Sequence, residues 1–151
     1  MSHSELEGLV NIALSIVLSF IIGFEREARG GNAGDRTFAL VGIGSAAFTT
    51  VAIDVAPGAI GGVVSGIGFL GAALLFRADA DHSVVGLTTA ASLWATAAIG
   101  VVCGTGHPLM AIVLTAVLLL DLEIQHIPFL RHLDARRYHD RVHQDNSPPH
   151  P

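Results

Sequence analysis

Two pairs of charged or polar residues sit at the edges of long apolar stretches. Glu25 and Arg26 follow one uncharged stretch, and Arg36 and Thr37 precede the next. A carboxylate at the edge of a membrane is partly desolvated and gains from pairing with a cation. The spacing predicts that Glu25 pairs with Arg36 and clamps two neighbouring helices. Ordinary interfacial charge, without that pair, is the alternative interpretation.

Two further carboxylates, Asp121 and Glu123, lie near the end of the last apolar stretch. If a helix starts near Leu109, Asp121 is about 18 Å along it at 1.5 Å per residue. That depth is past the membrane midplane, where an ionisable side chain indicates a functional site. The alternative is that both carboxylates snorkel to the interface near Arg131.

A glycine motif occupies the middle of another stretch. Gly66, Gly68 and Gly71 form a Gly-x-Gly-x-x-Gly pattern, which in other contexts binds a dinucleotide phosphate. That site needs a preceding strand and an acidic residue about 20 positions later. Here the surroundings are uncharged and apolar, and Asp79 and Asp81 come too early. The pattern therefore does not indicate nucleotide binding.

The same glycines have two interpretations inside a membrane. Gly58, Gly62 and Gly66 recur every fourth residue, and Gly68 with Ala72 continues the series of small residues. Such a series is typical of helices that approach each other closely, and we expect a bulky residue at Gly68 to disrupt assembly. Alternatively, the glycines weaken the helix and leave bare carbonyl groups to coordinate a cation.

Small and hydroxyl residues are concentrated in Gly86–Trp94, which contains Thr88, Thr89 and Ser92. Hydroxyl side chains can bond back to carbonyl groups of their own helix, so the run suits a tightly packed helix. A hydroxyl-lined polar path is the alternative. Trp94 needs a partner for its ring N–H or a place near the headgroups.

Signatures of common catalytic and metal sites do not occur in the sequence. It lacks a Walker motif, a His-Glu-x-x-His motif and a cysteine pair. Cys103 is expected to be a small buried hydrophobic residue. The eight histidines are scattered, and metal capture by those near the C-terminus is only an alternative to a solvated tail. We therefore predict a protein that is not an enzyme, with no catalytic, cofactor-binding or metal-binding residues.

Five apolar stretches must position these residues. Apolar residues make up 51% of the chain and charged residues 14%, against about 25% charged in soluble domains. A membrane-crossing helix needs about 20 residues, with about 17 as the lower end. The sequence predicts an all-α, polytopic membrane bundle of five transmembrane helices. The stretches are Gly8–Phe24, Phe38–Ile53, Ile60–Phe76, Val84–Cys103 and Leu109–Leu120.

The arginines predict the orientation of these helices. All eight basic residues are arginines, and they fall in the first gap, in the third gap and after the fifth stretch. Because positive charge in short loops stays in the cytoplasm, the N-terminus is predicted outside and the C-terminus inside. The first stretch is preceded by Glu5 and Glu7 and not by basic residues, which argues against a cleaved signal peptide.

The predicted domain organisation is a transmembrane domain over residues 1–128 and a cytoplasmic tail over residues 129–151. The tail contains arginine and histidine and ends in a proline-rich segment. We expect a short surface helix over Phe129–Val142, held at the membrane by its arginines. The last nine residues are expected to be disordered.

Four motifs together resemble the MgtC/SapB family of bacterial inner-membrane proteins. They are Glu25–Arg26, Arg36–Val41, Ser65–Ala72 and Gly86–Trp94, in this order and at the separations typical of the family. The resemblance covers about residues 8–125. It implies a multi-pass inner-membrane protein linked with adaptation to low magnesium and, in some pathogens, with virulence. It also implies regulation of another membrane protein, with the proton-translocating ATP synthase as a proposed partner.

Carried over to this chain, the resemblance marks ten positions as functional. Asp121 is added to them because of its predicted depth in the membrane. The ten positions are Glu25, Arg26, Arg36, Thr37, Gly66, Gly68, Phe69, Gly71, Thr88 and Trp94. Many relatives have an arginine and a glutamine early in the third span, where this chain has Ala59 and Val63. Many virulence-associated relatives also carry a C-terminal domain of ACT-like fold, and functions that depend on it are not expected here.

Two functions are consistent with these features. The first is a non-enzymatic modulator of another inner-membrane complex or of the response to low magnesium. The second is a small transporter or channel component for Mg²⁺ or protons, with Glu25, Asp121 and the glycine-rich third span as its path. The expected partners are membrane lipids, another inner-membrane complex or a second copy of the chain, and no nucleic acid.

Overall fold

Helices and short turns make up the part of the chain that the structure, a computed structural model, describes. This part comprises residues 3–75 and 86–124, and no strand occurs in it. Over its described residues, each predicted apolar stretch falls within one helix or overlaps it closely. The helices are α1 (His3–Ala28), α2 (Asp35–Val55), α3 (Ala59–Leu75), α4 (Leu87–Gly104) and α5 (Pro108–Glu123). The predicted all-helical fold with five helices is therefore confirmed.

Three of the helices are long and apolar enough to cross a membrane. They are α1, α2 and α4, with 26, 21 and 18 residues. Helix α3 is apolar and shorter. A helix needs about 20 residues to cross the hydrocarbon layer, so α1, at about 39 Å, extends beyond it. The chain is a membrane helix bundle, and its predicted orientation stays a prediction.

Glycine and proline set the ends of these helices. Pro108 is the first residue of α5, where its missing N–H removes no helical hydrogen bond. Gly86 precedes α4 with φ of 97°, a backbone conformation that other residues adopt only with strain. The amide nitrogen of Asn32 lies 2.8 Å from the position a Cβ would take at Gly86, so the α1–α2 turn packs directly against the start of α4.

Helices α1, α2 and α4 pack against one another, and α3 packs against α4 and α2. The largest fully buried side chains come from the first three of these helices. The apolar ones among them are Ile22 on α1, Phe38 on α2, and Leu93, Ile99 and Cys103 on α4. The burial of Cys103 confirms its predicted role as a small core residue. Lipid tails are as apolar as these side chains, so packing and hydrogen bonds must hold the helices together.

Close approach of the three core helices occurs at glycines. A Cβ at Gly100 of α4 would lie 2.7 Å from the Cβ of Ser45, and one at Gly104 would lie 2.6 Å from the carbonyl oxygen of Ala46. A Cβ at Gly42 of α2 would lie 2.8 Å from the Cβ of Ser19. Real Cβ atoms do not approach other atoms this closely. The backbones of α1, α2 and α4 therefore meet at a separation that only glycine permits.

The glycines of the predicted series do not serve this role within the chain. Gly58, which precedes α3, and Gly62, Gly66 and Gly68 of α3 have no atom of a neighbouring helix within 4 Å of the position that a Cβ would take. The prediction that they pack closely against a neighbouring helix is therefore wrong inside the described chain. The alternative of a broken helix is also wrong, because α3 is continuous from Ala59 to Leu75. An apolar environment favours the unbroken helix because it satisfies every backbone polar group.

The chain divides into two compact units after Leu118. In the first unit, α5 buries Ala111 and Thr115, and the Thr115 hydroxyl donates a 2.9 Å hydrogen bond to the Ala111 carbonyl oxygen. The last residues of α5 belong to the second unit. The predicted boundary at residue 128 and the predicted tail lie outside the described residues.

Replacing Gly100 with alanine should destabilise the bundle, because the new methyl group would overlap Ser45 of α2. Overpacking of this kind costs about 1–3 kcal/mol. The matched control is Gly68→Ala, which adds the same group in open space and should stabilise the helix by about 0.5–1 kcal/mol. Thermal unfolding of the two variants in mild detergent measures both effects. Equal unfolding temperatures would contradict the close contact between α2 and α4.

Candidate functional site at the Glu25–Arg26 end of the bundle

A largely buried ion pair joins the neighbouring residues Glu25 and Arg26 near the end of α1. The Arg26 Nη2 donates to Glu25 Oε1 at 2.6 Å, and its Nε donates to Oε2 at 2.5 Å. The two side chains are 10% and 11% exposed. Arg29, one turn further along, places its Nε 3.8 Å from Glu25 Oε1. The carboxylate is therefore held by Arg26 of its own helix and by Arg29, the residue that follows α1.

The predicted pair between Glu25 and Arg36 is wrong. Arg36 is exposed in the first turn of α2, and its main-chain N–H donates to the Asp35 carboxylate at 2.5 Å. Because α1 continues to Ala28, Arg26 and Arg29 reach Glu25 without crossing to another helix. Thr37, beside Arg36, is also exposed. The two motif pairs thus form separate features: a buried ion pair on α1 and an exposed cation on α2.

The α1–α2 turn and the start of α4 lie next to the main chain of Arg26. The N–H of Gly31 donates to the Arg26 carbonyl oxygen at 2.7 Å. A Cβ at Gly31 would lie 3.2 Å from the hydroxyl oxygen of Thr89, which is buried on α4. The predicted residue Thr88 points outward and is exposed. This end of the bundle therefore joins α1, α2 and α4 through a compact polar turn.

Hydroxyl residues extend from this end into the core of the three helices. The Ser15 hydroxyl of α1 donates to the Gly42 carbonyl oxygen of α2 at 2.9 Å. On α4, Ser92 donates to the Thr89 carbonyl oxygen at 3.0 Å and Thr96 to that of Ser92 at 2.8 Å. These last two bonds confirm that the hydroxyls of α4 bond back to their own helix.

Two of the core hydroxyls lack a hydrogen-bond partner. They are the Oγ of Ser19 on α1 and the Oγ1 of Thr49 on α2, and both residues are fully buried. Sequence reasoning did not single out the hydroxyls of α1 and α2. The sequence does contain a signal for them, because on each of three helices two hydroxyl residues stand four positions apart. This spacing places both members of a pair on one helix face. The pairs are Ser15 and Ser19, Ser45 and Thr49, and Ser92 and Thr96.

The predicted site residues of α3 and the centre of α4, all of which the structure describes, form no hydrogen bond or ion pair with Glu25 or Arg26. Gly66 lines a cleft of about 690 Å³ between α2 and α3, and Phe69 is 79% exposed. Gly71 lies against α4, where its Cβ would be 3.7 Å from that of Ala90. Trp94 is half-exposed and lines a cavity of about 180 Å³ between α3 and α4. The structure therefore does not bring the predicted residues together in one site.

The remaining predicted features concern carboxylates and the tail. Asp121 is exposed near the end of α5, in the second compact unit. Its depth in a membrane stays a prediction. Arg77, Arg131 and the histidines of the tail lie outside the described residues. Within residues 3–75 and 86–124, no group of three or more histidine, cysteine or acidic side chains could hold a metal ion.

Replacing Glu25 with alanine should destabilise the protein by about 3 kcal/mol, because it leaves the largely buried Arg26 guanidinium without its carboxylate. Unfolding in mild detergent measures the change. The control is Arg36→Gln, which removes an exposed cation and should shift stability by less than about 0.5 kcal/mol. An equal loss of stability in both variants would instead indicate an ion pair between Glu25 of α1 and Arg36 of α2, which the structure does not contain.

Comparisons with known proteins agree with the motif resemblance. The MgtC family model matches residues 12–127. The chain is 38% identical over 147 residues to "Putative magnesium transporter YhiD" of Escherichia coli K12, covering 88% of this chain and 66% of YhiD. It is 41% identical over 115 residues to the protein MgtC of Salmonella typhimurium LT2, covering 74% of this chain and 49% of MgtC.

A third relative is the protein MgtC of Brucella abortus, which is 45% identical over 100 residues, covering 63% of this chain and 41% of that protein. The chain thus spans between two fifths and two thirds of the length of these relatives. No solved structure matches it. The family match covers α2, α3, α4, α5 and most of α1, so this membrane protein belongs to the MgtC family.

Proposed function

We propose that this chain is a non-enzymatic, multi-pass protein of the bacterial inner membrane that modulates another membrane complex during adaptation to low magnesium. The family membership supports the membrane location and the general role. The link to magnesium is supported by the name of the YhiD relative and by what the motif resemblance implies. Because the chain covers only part of each relative, its activity and partners are proposals.

The observation that carries this proposal is the dense contact between α1, α2 and α4. Glycine contacts at Gly42, Gly100 and Gly104 bring the three backbones together along the length of the core. Such a core behaves as a rigid unit, because close-packed interiors do not deform gradually. A rigid unit in a membrane can present its outer surface to another protein, and this favours a modulator.

The lipid-facing surface offers the means of contact. Phe69 of α3 and Phe48 of α2 are largely exposed, and the glycines of α3 leave their backbone accessible from outside the chain. Transmembrane helices associate through such small-residue surfaces, where van der Waals contact replaces contact with lipid. A helix of a partner complex could pack here. The ATP synthase membrane sector is the partner that the resemblance suggests.

We expect a defined membrane complex to co-purify with the tagged chain after cross-linking in cells grown at low magnesium. Gly68→Leu should reduce the recovery of that complex, because its side chain would project from the accessible surface of α3. The control is Gly100→Ala, which should lower the amount of the chain and of the complex together. Recovery of the chain alone, in repeated cross-linking experiments, would contradict the modulator role.

The alternative, a small cation transporter or channel component, is favoured by two observations. The name of the YhiD relative includes magnesium transport. The buried hydroxyls of Ser19 and Thr49 also lack partners, and polar groups of this kind can bind water or a cation. Flux measurements in proteoliposomes separate the two functions. Movement of Mg²⁺ or protons above the rate in empty vesicles would favour transport over modulation.

Reporter fusions test the proposed orientation. The positive charge of the first gap and the tail predicts that reporters at Glu5 and at Arg137 lie in opposite compartments, with Arg137 in the cytoplasm. An enzyme active only outside the cytoplasm, fused at each site, measures this directly. Activity at Arg137 with none at Glu5 would reverse the orientation, and activity at both sites would require an even number of crossings.

A further inference from the structure

An apolar cleft of about 690 Å³ runs between α2 and α3. On α2 it extends from Thr37 to Phe48, and on α3 it is lined by Gly62 and Gly66 among other residues. The cleft exists because the two glycines have no side chains to fill it, while Leu40 and Phe48 are each 68% exposed along its wall. An apolar space of this kind does not hold water stably. In a membrane it must be filled by apolar groups from outside the chain.

The cleft is at least as long as one leaflet of a membrane, since its lining includes both Thr37 near the start of α2 and Ala59 at the start of α3. Thr37 and Phe48 are eleven residues apart on a helix, which corresponds to about 16 Å. The hydrocarbon layer is about 30 Å thick, so one leaflet contributes about 15 Å. A lipid acyl chain that enters beside Thr37 would therefore lie within the cleft over its whole length.

The charge at the mouth of the cleft indicates which lipid would bind. Arg36 directly precedes Thr37 and is exposed, and its guanidinium forms no ion pair with any described residue. The nearby carboxylates are directed to the start of α2 instead: Glu27 accepts the Asp35 N–H at 3.1 Å, and Asp35 accepts the Arg36 N–H. A guanidinium forms strong paired hydrogen bonds with a phosphate group.

We propose that this cleft binds an anionic phospholipid, with one acyl chain between α2 and α3 and its headgroup phosphate on the Arg36 side chain. The site combines an apolar cleft at least one leaflet deep with the exposed cation Arg36 beside its mouth. It is distinct from the Glu25–Arg26 pair, whose arginine is already occupied by a carboxylate. The proposal does not depend on the modulator role, because it concerns lipid binding by the chain alone.

Native mass spectrometry of the purified full chain tests the headgroup contact. The probes are phosphatidylglycerol and phosphatidylcholine with identical acyl chains. The wild-type chain should retain about five times more phosphatidylglycerol than phosphatidylcholine. This ratio is the effect expected of one arginine near an anionic headgroup. Arg36→Gln should abolish the preference, because it lowers retention of anionic phosphatidylglycerol more than that of phosphatidylcholine, whose choline group offsets the phosphate charge. The control Arg29→Gln removes a cation of the Glu25 cluster and should keep the preference.

A second pair of variants tests the acyl-chain contact. Gly66→Leu places a side chain inside the cleft and should reduce retention of both lipids. Gly68→Leu adds the same side chain to the same helix outside the cleft and should bind both lipids as the wild type does. Circular dichroism confirms that each variant keeps its helical content. Because both glycines have open space around them, the fold should tolerate both substitutions.

Three results would overturn the proposal. The first is equal retention of the two lipids by the wild-type chain or an unchanged preference in Arg36→Gln. The second is equal lipid binding by Gly66→Leu and Gly68→Leu. The third is that the wild-type chain appears as a dimer without bound lipid, and that Gly66→Leu removes this dimer while Gly68→Leu does not. That result would assign the cleft to a second copy of the chain.

Discussion

Contact between bare helix backbones is the constraint on which the rest of this structure depends. In lipid the hydrophobic effect does not drive helices together, because the surrounding tails are as apolar as the side chains. Helices α1, α2 and α4 associate instead where Gly42, Gly100 and Gly104 let their backbones meet. The Ser15 hydroxyl adds a hydrogen bond from α1 to α2 at the same level. Every other feature is arranged around this three-helix core.

The core also determines where charge can be placed. Between the three helices there is room for hydroxyl side chains, which satisfy much of their hydrogen bonding on helix carbonyl groups. The Glu25–Arg26 pair lies instead near the end of α1, where the carboxylate and guanidinium neutralise each other within one helix. A buried pair of this kind stabilises little by itself but makes the loss of either partner costly. The pair thus serves the integrity of this end of the bundle.

Helix α3 does not make the close glycine contacts that join α1, α2 and α4. Both the proposed function and the proposed lipid site depend on this difference. Gly62, Gly66 and Gly68 have open space around them, and Gly62 and Gly66 border the cleft against α2. A helix partner and a lipid chain are both suited to such a surface, because each supplies the apolar atoms that the glycines lack. A bound anionic lipid would fill the cleft near Gly66 and leave the accessible face at Gly68 available to a protein.

The sequence by itself determined the helical class, the five helices and their approximate ends, because long uncharged stretches in lipid can only be helical. It also determined the family, through motifs spread over most of the chain. The burial of Cys103 and the hydroxyl bonds of α4 followed from local chemistry. Tertiary structure alone decided which glycines meet a neighbouring helix and which cation pairs with Glu25. Spacing shows which residues share a helix face, but only the packing of α1, α2 and α4 shows which faces meet. For that reason the contacts fell at Gly42 and Gly100 and not in the glycine-rich α3, and Arg36 remained exposed beside the cleft.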